Sequence, residues 1–327
     1  MPRKLLALVI LAVCAGGCAS AGRTGGSPSK ASATTTGKPP WYAPYVDGTL
    51  SMPQFPSGHV VLGFVIGKRC TPAWGGQYTL DQATTINSRI AQAQSIGDEV
   101  IVSFGGVSGP ELANSCTDPT ALESAYQTVI RRYGLKTIDL DIEAASLNST
   151  ANARRARAIA ALQRTRAAAG KPLAVWLTLA VDPHGIPASG ISAIRHMLAA
   201  GVTVSGVNVM TFDYAPLAAG QTVLSASESA INNTATQVKP LGISPAELGA
   251  TIMVGNTDRP GQTWSLSSAQ AFYTFAYAHH LGRLSEWSLN RDQQCVGRQP
   301  QPSDACSGVT QQRQQFSTVL GRNAGQS

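Results

Sequence analysis

The sequence predicts an α/β chain folded as one (β/α)8 barrel, the TIM-barrel architecture, and three observations carry that reading. From Trp41 onward, short apolar runs alternate with amphipathic segments, and strands alternating with helices imply a parallel sheet. The strand-like runs number eight. They occupy about 250 residues, the usual length of a closed barrel of this kind. An open, doubly wound sheet is the structural rival and satisfies the alternation but not the count.

The elements follow in order. Residues 41–46 supply the first strand, and 60–66 the second, with its helix over 80–95. Residues 100–104 lead to a helix at 121–133, and 137–143 to a long Ala/Arg helix at 151–169. Then come 173–180 with 191–200, 204–212 with 227–238, and 248–254 with 268–279. Residues 283–289 close the series. In such a barrel the active site lies at the carboxyl ends of the strands.

Composition narrows the function. The chain is 43% hydrophobic and 13% charged, ordinary for a globular protein with a large core. Only 6% of residues are aromatic, so a single aromatic beside a site carries weight. The net charge is +7, much of it on Arg131, Arg132, Arg154, Arg155, Arg157, Arg164 and Arg166. No aromatic or Gly-rich pattern accompanies these arginines. They read as solvated faces of two helices, with no nucleic-acid partner.

The first residues set the compartment. Arg3 and Lys4 precede an apolar run over 5–13, and Ala15, Gly16 and Gly17 precede Cys18. The run is shorter than the ~20 residues of a membrane span. The segment resembles a bacterial lipobox, with Ala15 where leucine is usual, and implies cleavage before Cys18 and acylation of that cysteine. A plain secretory signal is the alternative, and both send the chain out of the cytoplasm. The expected layout is a signal at 1–18, a Gly/Ser/Thr/Lys-rich tether at 19–40 and the barrel at 41–327. Of the six cysteines, Cys14 leaves with the signal and Cys18 takes the lipid. The remaining four permit three pairings. Cys295 with Cys306 and Cys70 with Cys116 is favoured, the first closing a short loop and the second tying two neighbouring barrel loops.

The chemistry is concentrated at 137–143, Thr-Ile-Asp-Leu-Asp-Ile-Glu. Strand side chains alternate between faces, so Ile138, Leu140 and Ile142 share one face while Asp139, Asp141 and Glu143 share the other. The apolar face must meet the helices, which turns the carboxylates inward. Carboxylates about 7 Å apart along one wall cannot all stay ionised cheaply, so at least one holds a proton. Glu143 is nearest the open mouth and suits the general acid that a glycosidic leaving oxygen requires.

With these residues placed, the stretch from Gly134 to Glu143 resembles the DxxDxDxE signature of glycoside hydrolase family 18, the chitinase family. Ser103-Phe104-Gly105-Gly106 matches that family's SxGG motif, and Met210-Thr211-Phe212-Asp213 resembles its MxYD motif. Trp287 falls where an eighth-strand tryptophan is expected. The resemblance covers nearly all of 41–292. It implies hydrolysis of β-1,4-linked N-acetylglucosamine chains with retention, the substrate's own 2-acetamido oxygen acting as nucleophile. On that pattern Asp141 orients the acetamido N–H, Asp139 shares a proton with Asp141, and Glu143 protonates the leaving sugar and later activates water. Met210 lines the acetamido pocket, Asp213 contacts sugar, and Trp287 forms a stacking floor. Gly105 and Gly106 are small so that other groups fit beside the site.

No metal or cofactor is implied, and a monomer that meets a membrane only through Cys18 is expected. Two positions depart from the pattern. Lys136 replaces the first aspartate of the signature. Phe212 replaces the tyrosine whose hydroxyl helps hold the acetamido group, and Tyr214 is expected to substitute in part. Asp182 and His184 follow the fifth strand, in a loop either near sugar or simply on the surface. Residues 255–282 leave room for a loop and one helix, not for the α+β insertion domain of some members. Two other functions remain open: a lipid-anchored solute-binding protein, which predicts two lobes, and a silent lectin of the same family, which predicts loss of the acid glutamate.

Overall fold

Parallel ladders join the strands in chain order around the sheet. The computed structural model describes residues 38–297, Pro300 and 302–322. The signal, Cys18 and nearly all of the tether lie outside them. The first strand is split into β1 (Trp41–Tyr42) and β2 (Tyr45–Asp47). The other barrel strands are β3 (His59–Lys68), β6 (Glu99–Gly105), β7 (Thr137–Asp141), β8 (Ala174–Ala180), β9 (Gly206–Met210), β10 (Leu248–Met253) and β13 (Arg283–Trp287). The sheet runs β1-β13-β10-β9-β8-β7-β6-β3, and β2 pairs in parallel with β3. Thus the halves of the first strand, separated by Ala43-Pro44, attach to the two ends of the series. Short antiparallel pieces decorate it: β4 (Thr71–Trp74) and β5 (Tyr78–Thr79) beyond β3, and β11 (Gly255–Asn256) with β12 (Thr263–Trp264) after β10.

Helices cover the outer face. They are α1 (Thr84–Ser95), α2 (Leu112–Ser115), α3 (Pro119–Arg132), α4 (Ser149–Ala168), α5 (Ala188–Ala199), α6 (Val223–Val238), α7 (Leu266–Ala278) and α8 (Gln315–Leu320). Local chemistry starts the long ones. The Asp118 carboxylate accepts from Ala121 N at 2.6 Å, with Pro119 at the first helical position of α3, and Asn148 caps α4 through Ala151 N at 2.8 Å; each satisfies an orphan amide of the first turn. Ile138, Leu140 and Ile142 are fully buried in the layer between sheet and helices, so the inferred alternation holds. β7 nevertheless ends at Asp141, two residues before the expected boundary. Residues 48–58 join the first and second strands without a helix. Between β10 and β13 lie only β11, β12 and α7, and no inserted domain.

Two glycines open the barrel floor. A Cβ on Gly206 would stand 2.4 Å from the Trp176 ring, and one on Gly249 3.2 Å from it. Bare backbone on two adjacent strands is what lets that indole lie inside the barrel.

The loops above are tied down covalently and electrostatically. Cys70 pairs with Cys116 and Cys295 with Cys306, the pairing favoured from sequence. The first bond joins the loop after β3 to the end of α2. Arg155 corrects an expectation: it does not lie on a solvated helix face but is fully buried. Its Nε donates to Glu111 at 2.9 Å, its Nη2 lies 2.7 Å from the same carboxylate, and Nη1 donates to Asn152. Tyr126 donates to the other Glu111 oxygen. This pair anchors the loop between β6 and α2, directly behind the barrel mouth. Removing one partner of a buried pair leaves the other charge uncompensated. Arg155→Met is therefore expected to lower unfolding free energy by about 3–5 kcal/mol, read from urea denaturation midpoints; a loss below about 1 kcal/mol would contradict the anchoring role.

Candidate active site

Asp139 lies deepest and is the best solvated by protein. Its carboxylate accepts from Tyr45 Oη at 3.0 Å, Ser103 Oγ at 2.6 Å and Thr178 Oγ1 at 2.7 Å. Arg283 Nη1 stands 3.7 Å away. These partners come from β2, β6, β8 and β13, so four strands converge on one carboxylate. Asn208 of β9 extends the network, donating to Tyr45, Thr178 and Thr251.

Asp141 sits one layer nearer the mouth and is treated differently. It is buried, and no described residue donates to its Oδ1. Burial, then the charges of Glu143 and Asp139, push its carboxyl well above the usual carboxylate range, while Arg283 pulls it back. An acceptor left open in this way is suited to an N–H brought by substrate. Glu143 follows β7 in an extended conformation that keeps the strand's alternation, φ −119° and ψ 159°. Burial pushes it up to about 7, with the charge of Asp213 adding to the effect. Such a carboxyl holds its proton over much of the range in which ordinary carboxylates have lost theirs.

A cleft of about 150 Å³ opens on these groups, and its walls include Asp141, Glu143, Met210, Phe212, Asp213 and Trp287. Seven of the eight residues singled out from sequence therefore gather here: six on the wall, with Asp139 beneath. Trp287 packs 5.4 Å from the ring of Phe64 and 6.3 Å from that of Tyr45. The two motif glycines explain the close fit. At Gly105 (φ +110°) a Cβ would meet Asp141 O at 2.0 Å, and at Gly106 (φ +78°) it would meet the Phe64 ring at 2.9 Å. Any larger residue would push β6 from β7, and with it Ser103 from Asp139. Asp213 also adopts a left-handed backbone, φ +55°, and no described residue donates to its buried Oδ1.

Tyr214 is the exception and must be corrected. It is buried away from the cleft, and its hydroxyl lies 2.9 Å from Ser227 Oγ on α6. Its backbone is held by Gln262, so it cannot present a hydroxyl where Phe212 lacks one. Asp182 and His184 form a surface turn closed by Asp182 Oδ1 and His184 N at 2.6 Å, and neither is on the cleft wall. Sequence reasoning missed Tyr45, Phe64, Thr178, Thr251, Met253 and Asp258 on that wall. Inward parity on their strands marked Thr178, Thr251 and Met253; Asp258 stands on a loop, where no periodicity applies.

The charge arrangement has a measurable consequence. Asp213→Asn removes the negative charge that helps hold the Glu143 proton. Carboxyl titration followed by carbon NMR should place Glu143 near 7 in the wild type and lower in the variant. An unmoved titration would mean that Asp213 does not act on Glu143.

Comparison with known proteins agrees with this geometry. No family model matches the chain. It is 33% identical over 278 residues to a probable bifunctional chitinase/lysozyme of Escherichia coli K12, covering 77% of this chain and 31% of that protein. It is 32% identical over 275 residues to endochitinase 11 of Metarhizium anisopliae, covering 77% and 52%. The chain thus matches from about a third to about half the length of these curated relatives. A crystal structure of catalytic-site mutants of active domain 2 of the thermostable Pyrococcus furiosus chitinase, complexed with chito-oligosaccharides, superposes with a TM-score of 0.76. That pair is 27% identical over 89% of this chain and 98% of the other. Motifs, barrel and relatives agree, and together they support a chitinase-like assignment within glycoside hydrolase family 18.

Proposed function

We propose that the protein is a retaining glycoside hydrolase that cleaves β-1,4-linked N-acetylglucosamine chains by substrate-assisted catalysis. The observation that carries this reading is a proton-holding Glu143 at the mouth beside a buried Asp141 with an open acceptor. A sugar ring lies on Trp287, and its acetamido N–H donates to Asp141. The acetamido oxygen attacks the anomeric carbon as the glycosidic bond breaks, and Glu143 gives its proton to the leaving oxygen. Asp141 stabilises the positive charge that develops on the oxazolinium-type ring. Glu143, now ionised, takes a proton from water, which attacks the anomeric carbon and reopens the ring. No step uses a metal or cofactor.

The names of the relatives support the substrate class, and the chito-oligosaccharides in the Pyrococcus complex fit the same chemistry. The single barrel disfavours a two-lobed solute receptor, and Glu143 disfavours a silent lectin. We place the protein outside the cytoplasm as a monomer tethered through a lipid on Cys18, the reading its first 18 residues support. Metabolic labelling with a fatty acid, lost in Cys18→Ser, tests the anchor.

Glu143→Gln should fold and bind oligosaccharide but lose about 10²–10⁴ in turnover. Turnover near the wild-type rate would remove Glu143 from the mechanism. Phe212→Tyr is expected to raise the rate on acetylated oligomers, because Tyr214 cannot supply the hydroxyl; an unchanged rate would show that the pocket does not use one. Without an insertion domain the groove is open at both ends, so long oligomers should yield intermediate lengths early, by internal cleavage. Early products consisting only of dimers would contradict an open groove.

A further inference from the structure

Arg283 opens β13 on the barrel floor and is fully buried. Its Nε donates to Ser285 Oγ at 2.8 Å, and Nη1 stands 3.7 Å from Asp139. Its guanidinium carbon lies 5.3 Å from the ring centroids of Trp41, Tyr45 and Trp176. Neither Nη1 nor Nη2 hydrogen-bonds to a described residue. A buried guanidinium is costly unless charge and ring faces compensate it. Here three aromatic rings and one carboxylate do so, at the end of the ladder farthest from the cleft. Besides Asp139, the titratable groups that face it are Tyr45 on β2, Asp141 on β7, and His59 on β3 with its neighbours Glu99 and Asp98.

We propose that Arg283 is a positioning residue for the reaction: its charge holds the ladder's negative charge on Asp139 and so keeps the shared proton at the Asp141–Glu143 end, where the leaving oxygen requires it. The three hydroxyls donating to Asp139 act in the same direction, since they satisfy the oxygens of an anion. Asp141 feels the same cation across one strand layer, so loss of Arg283 drives its carboxyl still higher. The proposal rests on the hydrolase reading.

The test is the pH profile of kcat and KM on defined N-acetylglucosamine oligomers. Arg283→Met should lower kcat about tenfold or more, change KM little, and move the acid limb to higher pH. Arg283→Lys, which keeps the charge, should hold the limb near its wild-type position. A folded Arg283→Met with an unmoved acid limb overturns the proposal, as does an equal shift in Arg283→Lys. Should Arg283→Met not fold, Asp139→Asn/Arg283→Met removes both buried charges and should recover the fold. Failure of that pair to fold would leave Arg283 a packing role alone and overturn the proposal. Wild-type protein that cleaves no oligomer overturns the hydrolase reading itself, and this inference with it.

Discussion

Three carboxyl groups facing the inside of a barrel must be solvated by the barrel, and most of the architecture around β7 answers that constraint. Burial of an unpaired carboxylate costs several kcal/mol or more. The fold meets this for Asp139 by aiming hydroxyls from β2, β6 and β8 and a guanidinium from β13 at the same group. Parallel registers make that convergence possible: Asp139 is paired with Ser103 on one side and Trp176 on the other. The splitting of the first strand serves the same end. Tyr45 opens the half paired with β3, and from there its hydroxyl reaches both Asp139 and Thr178.

Much of this was legible in the sequence because it depends on period and order. Alternation at 137–143 placed the carboxylates, the eight apolar runs placed the strands, and the four cysteines after position 18 allowed the pairing that is observed. What escaped depends on contacts across space. Arg155 sits in a helix dense with arginines that are exposed at positions 157 and 164, and nothing local marks it as the partner of Glu111. Tyr214 follows the motif by one residue, yet a left-handed turn at Asp213 redirects the chain and sends its ring toward α6. Arg283 reads as an ordinary strand-start cation until the rings of three other strands are seen to enclose it.

The ladder also has an electrical direction. Arg283 lies at its closed end and Asp213 at its open end, so negative charge is favoured below and protons are favoured above. Within the ladder, Asp141 and Glu143 are raised by burial and by like charge, and they are the two nearest the mouth. That ordering suits a reaction in which one carboxyl donates a proton and its neighbour must bear negative charge beside a developing cation.

This ordering sets a limit on stability. A carboxyl raised in the folded state keeps its proton where the unfolded chain has lost its own. Folding then takes up protons, and stability falls as pH rises through that interval. For Glu143 the interval runs from the ordinary 4.5 to about 7, and Asp141 and the buried Glu286 act with the same sign. The features that keep the acid protonated therefore weaken the barrel near neutrality, where catalysis would need it. The compensating interactions stand outside the ladder: two disulfides and the Glu111–Arg155 pair brace the loops that form the mouth. The disulfides do not titrate, so their contribution persists across the interval in which the site costs most.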